Sequence, residues 1–307
     1  MRPALPLSRI GLGALAIAGF VGGGWLGWRW LAPLLDPRAA DTTLLQDLQR
    51  QPPPGSLAPG GAPSAPASAP GAGNGLAGAR PGALSGWGAA ARTDRALIAC
   101  LQGGQAEIPM PADPSNYAHR ESVDWKGQSV PSQPLLIVLH ETVVDEAAAL
   151  ALFRRPHPDD ADQASYHLLI GRDGRRIRVV DDRDRAYGAG DSAFGELAVQ
   201  LKPQVPASVN NVALHVSLVS PPDGADGERR EHSGYSEAQY RSLAGQIALW
   251  QSEYGIDNTH VVTHQQVDRS GSRHDPRSLD WQRLSGDLLQ RQLACGATPG
   301  PALAGGR

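Results

Sequence analysis

Residues 135–140 read LLIVLH and residues 260–264 read HVVTH. Each is a short aliphatic run, partly β-branched, that ends on a histidine. Runs of this length and composition predict strands, and the near absence of polar alternation predicts strands covered on both faces. Outward from these two, residues 166–171 (YHLLIG), 176–180 (RIRVV) and 212–219 (VALHVSLV) carry the same signature. Gly171, Arg172, Asp173 and Gly174 between the second and third runs read as the turn of a hairpin. Helical patterns cover residues 145–154, 236–254 and 278–293. The middle one opens on Ser236 as an N-cap, spaces Leu243, Ile247 and Trp250 helically, and ends at Gly255. Strands mixed with helices predict an α/β fold with a mixed central β-sheet flanked by helices.

A histidine at a strand end is more often a hydrogen-bonded core residue than a ligand, but strand ends are also where α/β sheets place their ligands. Two such ends, His140 and His264, are followed by Arg273, His274, Asp275 and Pro276. Two imidazole nitrogens and one carboxylate oxygen, with a fourth position open to water, make the donor set of a catalytic zinc site. His260 and His264 do not both belong to it. Four residues of strand span about 13 Å, too far for two ligands of one ion. His140–Glu141 does not begin an HExxH motif either, because Val144 stands where the second histidine would be.

These segments, in this order, resemble the zinc-dependent N-acetylmuramoyl-L-alanine amidases, the family that includes phage amidases and peptidoglycan recognition proteins. The resemblance covers residues 134–288. IVLHET resembles the family's first ligand strand, and ASYHLLIGRDGRRIRVVDD its central hairpin. RAYGAGDS resembles the segment after the hairpin, NNVALHVSLVSP the next strand, and YSEAQYRSLAGQIALWQSEYGI the long helix. VVTHQQVD and RHDP resemble the second and third ligand segments. The resemblance implies zinc (Zn2+) held by His140, His264 and Asp275, with Tyr166 beside the reacting water. It also implies a cation, here Arg273 where lysine is usual, facing the carbonyl oxygen of the scissile amide. A core tyrosine and a surface arginine are the plain alternatives for these two. The implied reaction is hydrolysis of the amide between N-acetylmuramic acid and L-alanine, with peptidoglycan or a muropeptide as substrate.

The chain departs from the family pattern in places. Many bacterial members carry a general-base glutamate in the strand after the hairpin, and the matching position reads as His215, either a base or a packed histidine. A tryptophan–histidine pair common after the hairpin is here Tyr187–Gly188, and Arg277 replaces a glycine often found after the Asp–Pro pair. His157, His167, His232 and His274 receive no catalytic role. These departures keep a second function open, a peptidoglycan-binding or sensing module of the same fold without turnover.

The rest of the chain bears on location. Residues 10–28 (IGLGALAIAGFVGGGWLGW) carry no charge and, as a helix, would span about 28 Å. They read as an uncleaved membrane anchor, with Trp25, Trp28 and Trp30 suited to the interface. A cleaved secretory signal is the alternative and a buried core helix the third reading. Arginines on both sides leave the orientation signal weak. Residues 51–90 hold 10 Gly and 8 Pro with Arg80 as the lone charge, too little apolar surface to offset ordering, so they predict a disordered Pro/Gly/Ala-rich linker. Forty such residues have a root-mean-square span of about 35 Å. The division expected is 1–40 anchor or signal and flank, 41–92 linker, 93–297 amidase domain and 298–307 flexible tail. It places the enzyme in the cell envelope, on the extracytoplasmic face, or secreted if the signal is cleaved. There Cys100 and Cys295 are free to oxidise, and they read as either one disulfide or two buried thiols. A net charge of −3 with few aromatics excludes a nucleic-acid partner, and two cysteines exclude a zinc–thiolate scaffold.

Overall fold

The computed structural model describes residues 94–297 apart from 105, 226 and 228. The expected anchor, the Pro/Gly linker and the C-terminal tail lie outside these residues. No helix among the described residues is long and apolar enough to cross a membrane.

The chain runs through helix α1 (Arg95–Gln102), strands β1 (Glu107–Pro109), β2 (Tyr117–His119) and β3 (Leu136–Glu141), then helix α2 (Glu146–Phe153). Strands β4 (Leu168–Ile170), β5 (Arg176–Arg178), β6 (Asp184–Ala186) and β7 (Ala213–Leu218) follow. Helix α3 (Glu237–Tyr254), strand β8 (Val261–Thr263) and helices α4 (His264–Val267) and α5 (Trp281–Ala294) complete it. Six strands form one sheet in the order β1-β5-β4-β7-β3-β8, while β2 and β6 pair separately. β3 is parallel to β7 and β8, β4 is parallel to β7, and β5 runs antiparallel to β4. The sheet is therefore mixed, as the sequence predicts. The short strands β1, β2 and β6 are additions, three residues each and without a hydrophobic run to betray them.

The helix limits follow from capping. Asp145, Ser236 and Asp280 accept from the first-turn amides of α2, α3 and α5. Ser236 and Gln239 form a reciprocal capping box. Gly255 closes α3 at φ +69°, a left-handed position that suits glycine.

Period-two alternation sorts the central strands onto two faces. Ile137 and Leu139 of β3, with Leu214, Val216 and Leu218 of β7, pack in one cluster with Leu243, Ile247 and Trp250 of α3 and Leu284 and Leu288 of α5. Burying a large apolar side chain of this kind contributes roughly 1.5–3 kcal/mol. Leu136, Val138 and Ala213 point the other way and pack with Ala189, Val209, Val262 and Val267. His140 continues that second series on β3, and His215 and Ser217 continue it on β7. β3 and β7 are buried along their whole length, which is why neither shows polar alternation. Cys100, in α1, and Cys295, at the end of α5, form a disulfide across 195 residues of chain.

Candidate metal centre and active site

His140, His264 and Asp275, far apart in sequence, meet at the C-terminal ends of β3 and β8. All three are buried, and one donor atom from each lies within 4.8 Å of the others. β3 delivers His140. Thr263 ends β8 and caps α4 through a capping box with Gln266, so His264 is the first helical residue and not the last of a strand. The backbone N–H of Gln265 donates to the Asp275 carbonyl at 3.1 Å, which joins the second and third segments. His260 stands at the other end of β8, against Phe194 and Asp257, and has no part in the cluster.

The donor geometry fits a metal ion. Asp275 Oδ2 lies 3.4 Å from His140 Nδ1, and Oδ1 lies 3.0 Å from His264 Nδ1. Ligands about 2 Å from a tetrahedral zinc stand roughly 3.3 Å apart. His140 Nδ1 is buried and has no hydrogen-bond partner among the described residues, a costly state for a polar atom unless something else engages it. Burial, reinforced by the nearby His264, lowers the His140 imidazole to about 4, so it is neutral and free to ligate at ordinary pH. Burial opposes ionisation of Asp275, but His264 beside it holds the carboxyl well below its usual range.

Tyr166 stacks at a tilt on His140, ring centroids 4.6 Å apart, and meets Phe153 edge-on. Burial first, then the Asp275 carboxylate, raises its phenol, which stays protonated. Arg273 lies close enough to bear electrostatically on both His140 and Tyr166. Its backbone N–H is held by Asp268, and its guanidinium makes no ion pair among the described residues. The structure thus brings together all five residues singled out from the sequence.

His215 is not a base facing this cluster. Its Nδ1 lies 2.9 Å from His140 Nε2, on the side of the ring turned away from Asp275. The residue paired with His140 across the strands is Ser217. His215 is fully buried, and burial, followed by His140, depresses its imidazole strongly. Gly188 explains a second departure. A Cβ there would lie 2.5 Å from Cγ and Nδ1 of His215, so the histidine occupies the space a side chain at 188 would need.

Behind the cluster is a polar group that the sequence did not disclose. Glu141, next to His140, is buried and accepts from Arg277 Nε and from the Arg277 backbone N–H. Its other oxygen meets His232 Nε2 at 2.9 Å and accepts from the Tyr235 hydroxyl at 3.1 Å and Ser220 Oγ at 3.3 Å. Arg277 also donates to the carbonyls of Gly224 and Arg229. One buried guanidinium thus ties the end of β3, the loop after β7 and the Asp275 segment together. Its only trace in the sequence is an arginine where the resembling family often has glycine.

Residues 130–278 match the family model described as N-acetylmuramoyl-L-alanine amidase. That segment, just under half of the chain, contains His140, Tyr166, His264, Arg273 and Asp275, and it is similar to this family. Its activity is accordingly that of an amidase acting on the amide between N-acetylmuramic acid and L-alanine in peptidoglycan. Among solved structures, the chain is similar to a selenomethionine derivative of AmpD, with 22% identity over 59% of this chain and 94% of that one, TM-score 0.44. It is similar to AmiD from E. coli in complex with anhydro-N-acetylmuramic acid-L-Ala-D-γ-Glu-L-Lys, with 19% identity over 54% and 65%, TM-score 0.41. AmpD of Citrobacter freundii is 21% identical over 60% and 91%, TM-score 0.38. A search of curated protein sequences returned no significant match.

Proposed function

We propose that this amidase is zinc-dependent, with His140, His264 and Asp275 as ligands, and that it works outside the cytoplasm on a membrane tether. The observation that carries the zinc reading is the convergence of two buried imidazole Nδ1 atoms on one buried carboxylate. Zinc bound there would supply Lewis acidity to a water and to the amide carbonyl. The chain's own residues do the rest. Neutral His140 and ionised Asp275 offer lone pairs without first losing a proton. Tyr166, held protonated, presents a hydroxyl that orients the attacking water and passes a proton toward the leaving nitrogen. Arg273 offers a cation to the carbonyl oxygen as negative charge develops on it. Guanidinium fulfils this electrostatically, although its planar fork differs from the point charge of lysine.

Metal analysis of the purified full-length protein, combined with a turnover assay on muropeptide, tests this reading. We expect one zinc per chain, release of stem peptide from the lactyl group, loss of activity with a chelator and recovery with zinc. Zinc-loaded protein that binds muropeptide and releases no peptide would instead be a binding module.

The tether rests on composition. The uncharged run at 10–28 and the Pro/Gly tract at 51–90 support an anchor followed by a flexible spacer. The Cys100–Cys295 disulfide supports an oxidising compartment. We expect the protein in the membrane fraction and open to protease added outside the cytoplasmic membrane. Recovery in the soluble cytoplasmic fraction would overturn the placement.

A further inference from the structure

We propose that His215 is a positioning residue that holds the ligand His140 in the tautomer able to bind metal. This rests on the zinc reading above. The atom of His140 that faces Asp275 is Nδ1. For Nδ1 to offer a lone pair, the single proton of the neutral ring must sit on Nε2. The hydrogen-bond partner of Nε2 is His215 Nδ1, 2.9 Å away and fully buried. In this arrangement His215 accepts at Nδ1 and therefore carries its own proton on Nε2, a buried atom with no partner among the described residues. The opposite arrangement would put the His140 proton on Nδ1, where it would block the metal-facing lone pair.

The surroundings of His215 hold its ring in place for this task. Its backbone N–H donates to His167 Nδ1 at 2.9 Å, and the two rings stack at 13° with centroids 5.8 Å apart. Accepting at Nδ1 sets His167 as the Nε2–H tautomer, and that nitrogen meets the Asp184 carbonyl at 3.2 Å. On another side Gly188 lies so close that any side chain would collide with the imidazole. Three histidines thus run from the sheet to the metal centre, and only the last is a ligand. A partner on the far nitrogen of a metal-binding imidazole fixes both ring orientation and tautomer, and its loss typically weakens metal binding 10–100-fold.

The test uses the full-length protein and reads zinc affinity by competition with a chelator, not activity. His215→Leu removes the acceptor at similar volume, and His215→Asn keeps an acceptor near the Nδ1 position. We expect His215→Leu to lose about 10–100-fold in zinc affinity and His215→Asn to stay within a few-fold of wild type. The circular dichroism of both zinc-free variants should match wild type. Nitrogen-15 NMR of the wild-type histidines gives a second reading that needs no variant to fold. With zinc bound, His140 should be ligated through Nδ1 and protonated on Nε2, and His215 unprotonated at Nδ1. Wild-type affinity in His215→Leu, or a proton on His215 Nδ1 in the loaded protein, would overturn the positioning role. A wild-type chain that takes up no zinc would overturn the metal reading itself, and this inference with it.

Discussion

Tyr166 and Arg273 both bear on His140, yet they answer to different demands. The phenol is buried against His140 and kept protonated, whereas the guanidinium makes no ion pair among the described residues and is placed to meet charge that forms during reaction. Arg273→Ala should therefore lower kcat about 10²–10³-fold while zinc affinity holds, as for removal of one oxyanion donor. Arg273→Lys should recover most of the loss. Tyr166→Phe should cost about 10²-fold in kcat, read in the same assay with metal content checked. His140 also makes a pH prediction. Its folded value, about 4, lies below the ordinary histidine value, so between the two the unfolded chain binds more protons. The contribution is fully present above pH ~6.5 and is lost as pH falls toward the folded value, on the order of 3 kcal/mol in all. Denaturant unfolding of the zinc-free protein across that range should show the loss, and His140→Leu should flatten it.

At the scale of elements, the site depends on how three chain segments are tied. β3 ends in His140–Glu141, and the Asp275 segment is held to it by Arg277 on Glu141, two side chains that are essentially fully buried. Removing one partner of a buried ion pair leaves an uncompensated charge and typically costs 3–5 kcal/mol. Arg277→Ala should destabilise the protein by about that amount and weaken zinc binding, because Asp275 is two residues away. The double variant Glu141→Leu/Arg277→Met should be less destabilised than Arg277→Ala alone, measured by urea unfolding. The elements themselves were legible from sequence. LLIVLH, VALHVSLV and the Ser236-to-Gly255 helix announce themselves by uniform apolarity, capping and spacing. The apolar run predicts His264 at a strand end, yet it begins α4. Thr263 caps that turn through Gln266, three residues beyond the apolar run, where a strand pattern gives no warning.

Across the whole domain, the disulfide joins its first helix to its last. Closing so long a loop restricts the unfolded chain, and the entropy model puts the effect near 5 kcal/mol as an upper figure. Cys100→Ser/Cys295→Ser should therefore lower the thermal midpoint markedly. Zinc affinity should change little, because Cys295 packs against the α3–α5 core, whereas His140 sits in β3 on the opposite face from that core's Ile137 and Leu139. A double variant with an unchanged midpoint would show that packing alone holds the ends.

The sequence by itself determined the mixed α/β sheet, and its resemblance to a family pointed to His140, His264, Asp275, Tyr166 and Arg273 as residues to be found together. The sheet is read from short segments, by apolar runs and caps, and the five residues from the order of the matched motifs. Only the tertiary structure decided what His215, Gly188, Glu141 and Arg277 touch. His215 and His140 lie 75 positions apart and Glu141 and Arg277 136 apart, and each pair meets through strand register or loop closure that no local pattern encodes. It also settled the choice between a disulfide and two thiols, because only the packing of α5 near α1 sets the 5.5 Å Cα separation that a disulfide needs.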